Sequence, residues 1–188
     1  SLLNSDTKQY FQTEQFKNIH NPNIAISKQE YINYLFSVNG IQKAQIVNFN
    51  ISYVDDRFAK IIVKIFSKLF FNFAKELDKR GSIPFNLILE EAHRYVQHDS
   101  DIELIGYNIF DRITKEGRKY AVMLGLISQR PSELSTTALS QCSNFLIFKM
   151  LHPTDVEYIR QMVPNITSEI LKKIKLLQPG TCIAFGSV

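Results

Sequence analysis

The sequence predicts an α/β fold with a mainly parallel central sheet flanked by helices. Three continuous apolar runs, at 85–89, 120–127 and 144–150, have the character of buried strands in such a sheet. Segments with helical periodicity separate these runs. Strand and helix therefore alternate along the chain, which is the pattern of α/β proteins.

The first part of the chain is polar and rich in Asn and Gln. Four positions in it are spaced for one face of a helix: Tyr31, Tyr34, Leu35 and Val38. They predict a short helix between loops. Residues 45–51 alternate in the manner of a strand. We therefore divide the chain into an N-terminal segment, residues 1–40, and a main domain, residues 41–188.

A long helix is predicted over residues 57–79. Asp55 or Asp56 can cap its N-terminus, because an Asp side chain accepts a hydrogen bond from the first free backbone N–H groups. Gly81 follows its end. The apolar residues of this segment cover more than one stripe, which suits a helix packed on a sheet and touched by a second element.

The remaining elements complete the alternation of strands and helices. They are strand 85–89, helix 102–116, strand 120–127, helix 136–140, strand 144–150, helices 154–162 and 168–176, a turn at 178–180 and strand 181–185. The strand at 85–89 is expected to be central and covered on both faces, because its apolar run is continuous.

Composition allows one sizeable core, with 45% hydrophobic residues in 188. No uncharged run reaches the length that a bilayer requires, so we expect no membrane partner. The N-terminus lacks the features of a signal peptide and Cys142 and Cys182 form no metal-ligand pattern, so we expect a cytoplasmic location. The net charge of +4 is compatible with a polyanionic partner but does not identify one.

Two carboxylates, Glu90 and Glu91, directly follow the apolar run that ends at Leu89. This pattern resembles a Walker B motif. The strand fixes both acids at its C-terminal end, where α/β sheets bind ligands, so Glu90 can hold hydrated Mg²⁺ and Glu91 can orient the attacking water. An isolated apolar run that ends in two acids is more often an ordinary strand end with solvated side chains.

The next predicted strand ends in Ser128-Gln129-Arg130-Pro131. If it lies parallel beside the first strand, Gln129 comes next to Glu91. A glutamine amide can both donate to a γ-phosphate and accept from a water, which is the chemistry of a sensor of hydrolysis. The alternative is a plain turn, since Arg-Pro-Ser is common turn material. His93 and Arg94 follow the acids, and either can contact the nucleotide, position Glu91 or pair with an acid. For His93 we expect a structural role.

Several segments together closely resemble the HerA-like branch of the FtsK/HerA motor ATPases. They are Leu-Glu-Glu-Ala-His-Arg at 89–94, Lys-Glu-Gly-Arg-Lys-Tyr at 115–120, Ser-Gln-Arg-Pro at 128–131, and the segments 144–149, 152–155 and 177–182. The resemblance covers roughly the last 140 residues. It implies a partial RecA-like domain of the P-loop NTPase type, a homo-hexamer, ATP and Mg²⁺ as cofactors, double-stranded DNA as the substrate for translocation, and a nuclease as a further partner.

The resemblance also carries residue roles. Glu90 and Glu91 take the Walker B pair, with Glu90 in place of the more usual aspartate. Gln129 takes the sensor position, and Arg130 beside it is a second candidate contact to the nucleotide. Arg118 is similar to the arginine proposed to act on the ATP of a neighbouring subunit.

Geometry supports a role in trans for Arg118. It precedes the strand whose far end carries Gln129, so at about 3.3 Å per residue it lies more than roughly 25 Å from its own nucleotide edge. The alternative is a solvated basic cluster of Arg118 with Lys115 and Lys119.

A phosphate-binding loop of the form G-x-x-x-x-G-K-[S/T] is absent from these residues, since none of the seven glycines is followed by Lys. We therefore expect an excised fragment of a motor ATPase, inactive alone, in preference to a degenerate member. Two alternatives remain open: a non-catalytic oligomerisation or protein-binding module that kept the ATPase fold, and part of a conjugation or secretion ATPase.

Overall fold

A computed structural model of the chain describes residues 15–17, 25–38, 42–43, 46–97 and 108–186. The chain divides into two compact units, Ser1–Tyr53 and Val54–Val188. None of the helices in the described residues is long and apolar enough to cross a lipid bilayer.

The described residues of the first unit form one helix and four very short strands. Strand β1 (Gln15–Lys17) pairs antiparallel with β2 (Ala25–Ser27), helix α1 spans Lys28–Leu35, and β3 (Ser37–Val38) pairs antiparallel with β4 (Gln42–Lys43). The predicted short helix is therefore present. Val38 lies in β3 and not on the helix, so its predicted place on the helical face is wrong.

The strand predicted at 45–51 does not form in the described residues. Residues 46–51 are irregular, Ile46 is 88% exposed, and Gln45 lies outside the described residues. A strand is stable only when its backbone pairs with a neighbour. Alternation of apolar and polar side chains supplies a face for burial but no such partner, which is why the prediction was wrong.

The second unit begins with the long helix α2, Asp56–Glu76. Asp55 caps it, with its Oδ1 accepting a hydrogen bond of 3.0 Å from the Arg57 N–H. The helix ends at Glu76, three residues before its predicted end at Lys79. The next residue, Leu77, has an extended conformation. Its core-facing aromatic rings include three that are buried: Phe70, Phe71 and Phe73.

The centre of this unit is a pair of parallel strands, β5 (Phe85–Leu89) and β6 (Val122–Leu126). The register runs from Phe85 opposite Val122 to Leu89 opposite Leu126. The connection between them contains α3, Ile109–Glu116, which Asn108 caps at its N-terminus. Of the helix predicted at 102–116, residues 102–107 lie outside the described residues.

One face of the parallel pair packs against helices and the other is open. The Phe85 ring lies 5.9 Å from the Phe70 ring and 5.8 Å from the Phe73 ring of α2, between ring centroids. On the opposite face Ile88 is 68% and Met123 54% exposed. The prediction that strand 85–89 is covered on both faces is therefore wrong for this chain, because in the described part no element covers the second face.

The last part of the unit continues the predicted order of elements. It contains α4 (Thr136–Ser140), β7 (Phe145–Phe148), α5 (Pro153–Met162), α6 (Ser168–Leu176) and β8 (Cys182–Phe185). Gly180 precedes β8 with a φ of 79°, a left-handed turn conformation that favours glycine.

The third apolar run differs from its prediction as a buried strand. Strand β7 pairs antiparallel with β8, and its Leu146 and Phe148 are 65% and 53% exposed. Only one face of this pair is covered in the described residues, with Ile147 buried. The apolar run identified the strand correctly, but its exposure depends on neighbours that the run cannot specify.

Candidate active site

The paired acids lie at the C-terminal end of β5. Glu91 adopts φ 50° and ψ 45°, a left-handed conformation that costs a non-glycine residue about 1–3 kcal/mol. It turns the chain out of the strand into a short 3₁₀ helix, Ala92–Arg94. The Ala92 N–H donates to the carbonyl of Ile127 at 2.9 Å, so the end of β6 holds this turn in place.

Gln129 reaches Glu91 from the neighbouring strand. Its Nε2 donates a hydrogen bond of 3.1 Å to Glu91 Oε1. The parallel pairing expected from the sequence therefore does bring these two side chains together. The glutamate side chain is 37% exposed, so water can reach it.

His93 approaches the other oxygen of the same carboxylate. Its Nδ1 lies 3.4 Å from Glu91 Oε2 and forms a hydrogen bond of 3.0 Å with Ser128 Oγ. The imidazole is mostly buried, at 14% exposed. Sequence reasoning favoured a structural role for His93, with positioning of Glu91 among the open alternatives, and did not single out the hydroxyl of Ser128. The Glu-x-His spacing directly after a strand is the signal that could have pointed to this contact.

Glu90 is the acid that remains available to a metal ion. Its side chain is exposed and forms no hydrogen bond or ion pair within the described residues. Mg²⁺ is commonly held by one or two carboxylates together with substrate phosphates, so Glu90 fits that chemistry. Glu91 fits it less well, because both its oxygens already face protein groups. No cluster of three or more metal-ligating side chains occurs in the described part of the chain.

The two arginines near the acids are engaged with carboxylates. Arg94 pairs with Asp56 at the start of α2 and lies over the Tyr95 ring, 5.6 Å from its centroid. Arg130 is 65% exposed and its Nη1 pairs with Glu133 at 3.0 Å. Of the alternatives left open for Arg94, the structure shows pairing with an acid.

A recess of about 230 Å³ lies beside the Arg94 pair. Its lining residues are Asp56, Arg57, Lys60, Arg94 and Gln97. Glu90, Glu91 and Gln129 do not line it. The recess is therefore separate from the paired acids, which lie at a solvent-accessible end of β5.

Arg118 lies at the opposite end of β6 from Gln129. It belongs to a 3₁₀ helix, Gly117–Tyr120, that precedes the strand. Ala121 lies beside the start of β5, and Ile127 lies beside its end. The chain between these two residues spans roughly 20 Å. Arg118 is exposed, as are Lys115 and Lys119, and it forms no ion pair with a described residue of its unit. The structure thus separates Arg118 from the other site residues.

Helix α5 anchors the loop that follows Gln129. The buried carboxylate of Asp155 accepts hydrogen bonds from the N–H and the hydroxyl of Ser132, at 3.1 and 2.6 Å. The Tyr158 hydroxyl donates to the Leu134 carbonyl at 3.0 Å, and burial raises the pKa of Tyr158, which keeps it protonated. Sequence reasoning missed this anchor, although the His-Pro-Thr-Asp start of the helix was noted.

Known proteins share this sequence over part of their length. No protein-family model matches the chain. A probable helicase of Methanocaldococcus jannaschii is 41% identical over 104 residues, which is 55% of this chain and 20% of that protein. The DNA double-strand break repair helicase HerA of Sulfurisphaera tokodaii is 28% identical over 155 residues, which is 80% of this chain and 31% of that protein. The chain thus spans about a fifth to a third of these relatives.

The fold is shared with a solved structure. The genome-packaging NTPase of Sulfolobus turreted icosahedral virus 2, in complex with AMPPCP, matches with a TM-score of 0.54 at 18% identity. The match covers 78% of this chain and 63% of that one. At this sequence identity, the match is evidence for the fold alone. The chain is therefore related in sequence to HerA and probable helicases, as the sequence predicted, and its α/β fold is that of a partial RecA-like domain.

Proposed function

We propose that this chain is the hydrolytic part of a HerA-type motor ATPase that couples ATP hydrolysis to translocation on double-stranded DNA. The observation that carries the proposal is the 3.1 Å hydrogen bond from Gln129 Nε2 to Glu91 Oε1. It joins a candidate water-orienting carboxylate to a candidate sensor amide across two parallel strands, at the sheet edge where α/β proteins bind ligands.

Each acid has its own part in the proposed reaction. Glu91 is held by protein donors, so it accepts a hydrogen bond from water in a fixed direction and aligns that water for attack on the γ-phosphate. Glu90, exposed and without a side-chain partner in the described residues, contributes an oxygen ligand to Mg²⁺. The bound metal ion would neutralise charge on the phosphate oxygens.

Gln129 can contact both the γ-phosphate and Glu91. Its amide donates to the carboxylate in the present structure and has a second N–H and a carbonyl oxygen for other partners. When a γ-phosphate lies at the strand ends, the same amide can share its donors between phosphate and carboxylate. Arg130 follows as a further candidate contact, although reaching a nucleotide requires it to leave Glu133.

Residues 1–188 are proposed to be inactive alone. They contain no phosphate-binding loop, and the paired acids stand at an open strand end. Without that loop, its lysine and its Mg²⁺-binding hydroxyl, ATP has no principal cradle. The relatives are three to five times longer than the matched segments, so the remaining groups of the site would come from other parts of the protein.

DNA, hexamer assembly, a partner nuclease and a cytoplasmic location belong to the same proposal. One relative is named as a DNA double-strand break repair helicase, and this name describes work on DNA. The net charge of +4 agrees with a polyanionic substrate. Arg118, placed away from its own acids, agrees with a ring in which a neighbour completes each site.

The test is a phosphate-release assay on the full-length protein with Glu91→Gln. The amide keeps the shape of the side chain but cannot polarise water, so ATP binding should persist while turnover falls by about 10³-fold or more. Glu169→Gln, an exposed acid at the start of α6, is the matched control and should leave turnover unchanged. Near-normal hydrolysis in Glu91→Gln would remove the assignment.

A non-catalytic module is the second candidate function. The open apolar positions of β5–β6 and β7–β8, such as Ile88 and Leu146, favour it because they offer area for association with another protein. The two candidates differ in what the intact coding sequence contains. A phosphate-binding loop encoded upstream of residue 1 supports the motor ATPase. An intact protein that lacks such a loop and still performs its cellular role supports the non-catalytic module.

A further inference from the structure

The histidine two residues after Glu91 has no part in the reaction proposed above, yet it faces the same carboxylate. His93 Nδ1 is 3.4 Å from Glu91 Oε2 and 3.0 Å from Ser128 Oγ. Gln129 meets Glu91 at its other oxygen, Oε1. The carboxylate therefore has one neighbour from the 3₁₀ turn and one from the loop after β6.

The carboxylate beside His93 indicates which ring nitrogen carries the proton. Ser128 Oγ accepts from the Arg130 N–H at 3.0 Å and has a second lone pair that can accept from the ring. A carboxylate oxygen at 3.4 Å favours a proton on His93 Nδ1, since a bare nitrogen lone pair there would face negative charge. With Nδ1 protonated, the ring donates toward both Ser128 Oγ and Glu91 Oε2. Ser128 then fixes the orientation of the His93 ring, and the ring fixes the orientation of the Glu91 carboxylate.

The backbone conformation of Glu91 makes the contact between His93 and Glu91 Oε2 important. Its left-handed conformation directs the side chain away from the regular line of the strand. Gln129 holds only Oε1, and the carboxylate can still rotate about that single hydrogen bond. A donor at Oε2 removes the rotation and so fixes the direction in which the carboxylate accepts from water.

We propose that His93 is a positioning residue for Glu91, which orients the carboxylate through Nδ1 and is itself oriented by Ser128. The inference rests on the proposed function and deepens it. His93 touches neither nucleotide nor water in this role. It acts through Glu91, so its loss should lower kcat and leave nucleotide affinity unchanged.

Three substitutions separate this role from simple packing. His93→Asn places an amide nitrogen at the position of Nδ1, because both atoms are bonded to Cγ. His93→Gln carries its amide one bond further out, near the position of Nε2. His93→Ala removes both nitrogens. Positioning through Nδ1 predicts that kcat falls by about 10- to 100-fold in the Ala and Gln variants and is largely retained in the Asn variant, with KM for ATP similar in all of them.

The experiment measures kcat and KM in the full-length protein, with melting temperature recorded for every variant. His152→Ala is the matched control, at a 68% exposed histidine that precedes α5 and lies 3.3 Å from Asp155. Each His93 substitution is also made in the Glu91→Gln background. If His93 acts only through Glu91, no further loss of turnover should appear there.

The outcomes are distinct. Rescue by Asn but not by Gln, together with no further loss in the Glu91→Gln background, supports the inference. Unchanged kcat in His93→Ala, or equal loss in folded Asn and Gln variants, would overturn it while leaving the role of Glu91 intact. If the unmodified protein shows no turnover that depends on Glu91, the proposed function fails, and the positioning role fails with it.

Discussion

Gln129 and Glu91 are 38 positions apart in sequence and are joined by a hydrogen bond of 3.1 Å between Nε2 and Oε1. The contact exists because β5 and β6 are parallel and in register, so their C-terminal ends meet at one edge. It links the chain segment that carries the acids to the segment that would sense the phosphate. Changes at Gln129 should therefore alter catalysis more than stability, since this side chain is exposed.

In the full-length protein, Gln129→Ala should lower kcat by about 10- to 100-fold, because Glu91 Oε1 loses its donor and the phosphate loses its sensor. Gln129→Glu should be at least as harmful, since it sets a second carboxylate against Glu91. ATP turnover and urea unfolding measured side by side check both. Gln178→Ala, at an exposed glutamine in the turn before β8, is the control and should change neither. Normal turnover in Gln129→Ala would contradict the sensor role.

Asp155→Ala should destabilise the fold by about 1–3 kcal/mol, because the N–H and hydroxyl of Ser132 would lose their acceptor in a partly buried place. Urea unfolding of the chain measures this, with the change expected in the midpoint at a similar m-value. Glu157→Ala on the same helix removes a 50% exposed partner of Arg160 and should have little effect. Equal stability of the Asp155 variant and the unmodified chain would show that the anchor is dispensable.

Two glycines, Gly117 before β6 and Gly125 within it, should respond differently to an added methyl group. A Cβ at Gly117 would lie 2.3 Å from the backbone oxygen of Val122, which cannot move without shifting the strand. A Cβ at Gly125 would lie 3.5 Å from Ile88 Cγ1, an ordinary contact. Gly117→Ala should therefore lower the melting temperature by several degrees, while Gly125→Ala should be nearly neutral. Comparable melting of the two variants would contradict the close approach at Gly117.

Local chemistry made much of this fold predictable. Helix α4 has the predicted bounds, Thr136–Ser140, because the Ser135 hydroxyl accepts from the Ala138 N–H and marks its start. The position of Gln129 beside Glu91 also followed from the sequence, since parallel strands align their C-terminal ends. Both inferences needed only a motif and a general rule of sheet geometry.

Contacts between distant segments could not be predicted in the same way. The exposure of β7 depends on which strand it pairs with, and that strand, β8, lies more than 30 residues further on. Asp155 contacts Ser132 and His93 contacts Ser128 through pairings 23 and 35 positions apart. A residue type alone does not specify such a partner, so the anchor of the loop and the contact of His93 with Ser128 became visible only in the folded chain.

The last prediction concerns Arg118, which lies at the far end of β6 from Gln129 and forms no ion pair with a described residue of its unit. A positive charge there cannot reach its own acids across roughly 20 Å of strand, but in a ring it can reach the ATP of a neighbour. It would stabilise charge that develops on the transferred phosphoryl group. Arg118→Ala should therefore still bind ATP, yet hydrolyse it about 10²-fold more slowly or worse.

Mixing variants tests the role in trans. Full-length Arg118→Ala and Glu91→Gln subunits, each nearly inactive alone, are combined at several ratios after subunit exchange has been verified. At equal amounts about a quarter of the interfaces would unite an intact Glu91 with an intact Arg118, since each interface draws the two from different subunits. Activity should then partly return, and Lys119→Ala, at the exposed neighbouring lysine, should behave as the unmodified protein. If no ratio restores turnover, Arg118 does not act across the interface. If Arg118→Ala alone is fully active, Arg118 is only a member of a solvated basic cluster.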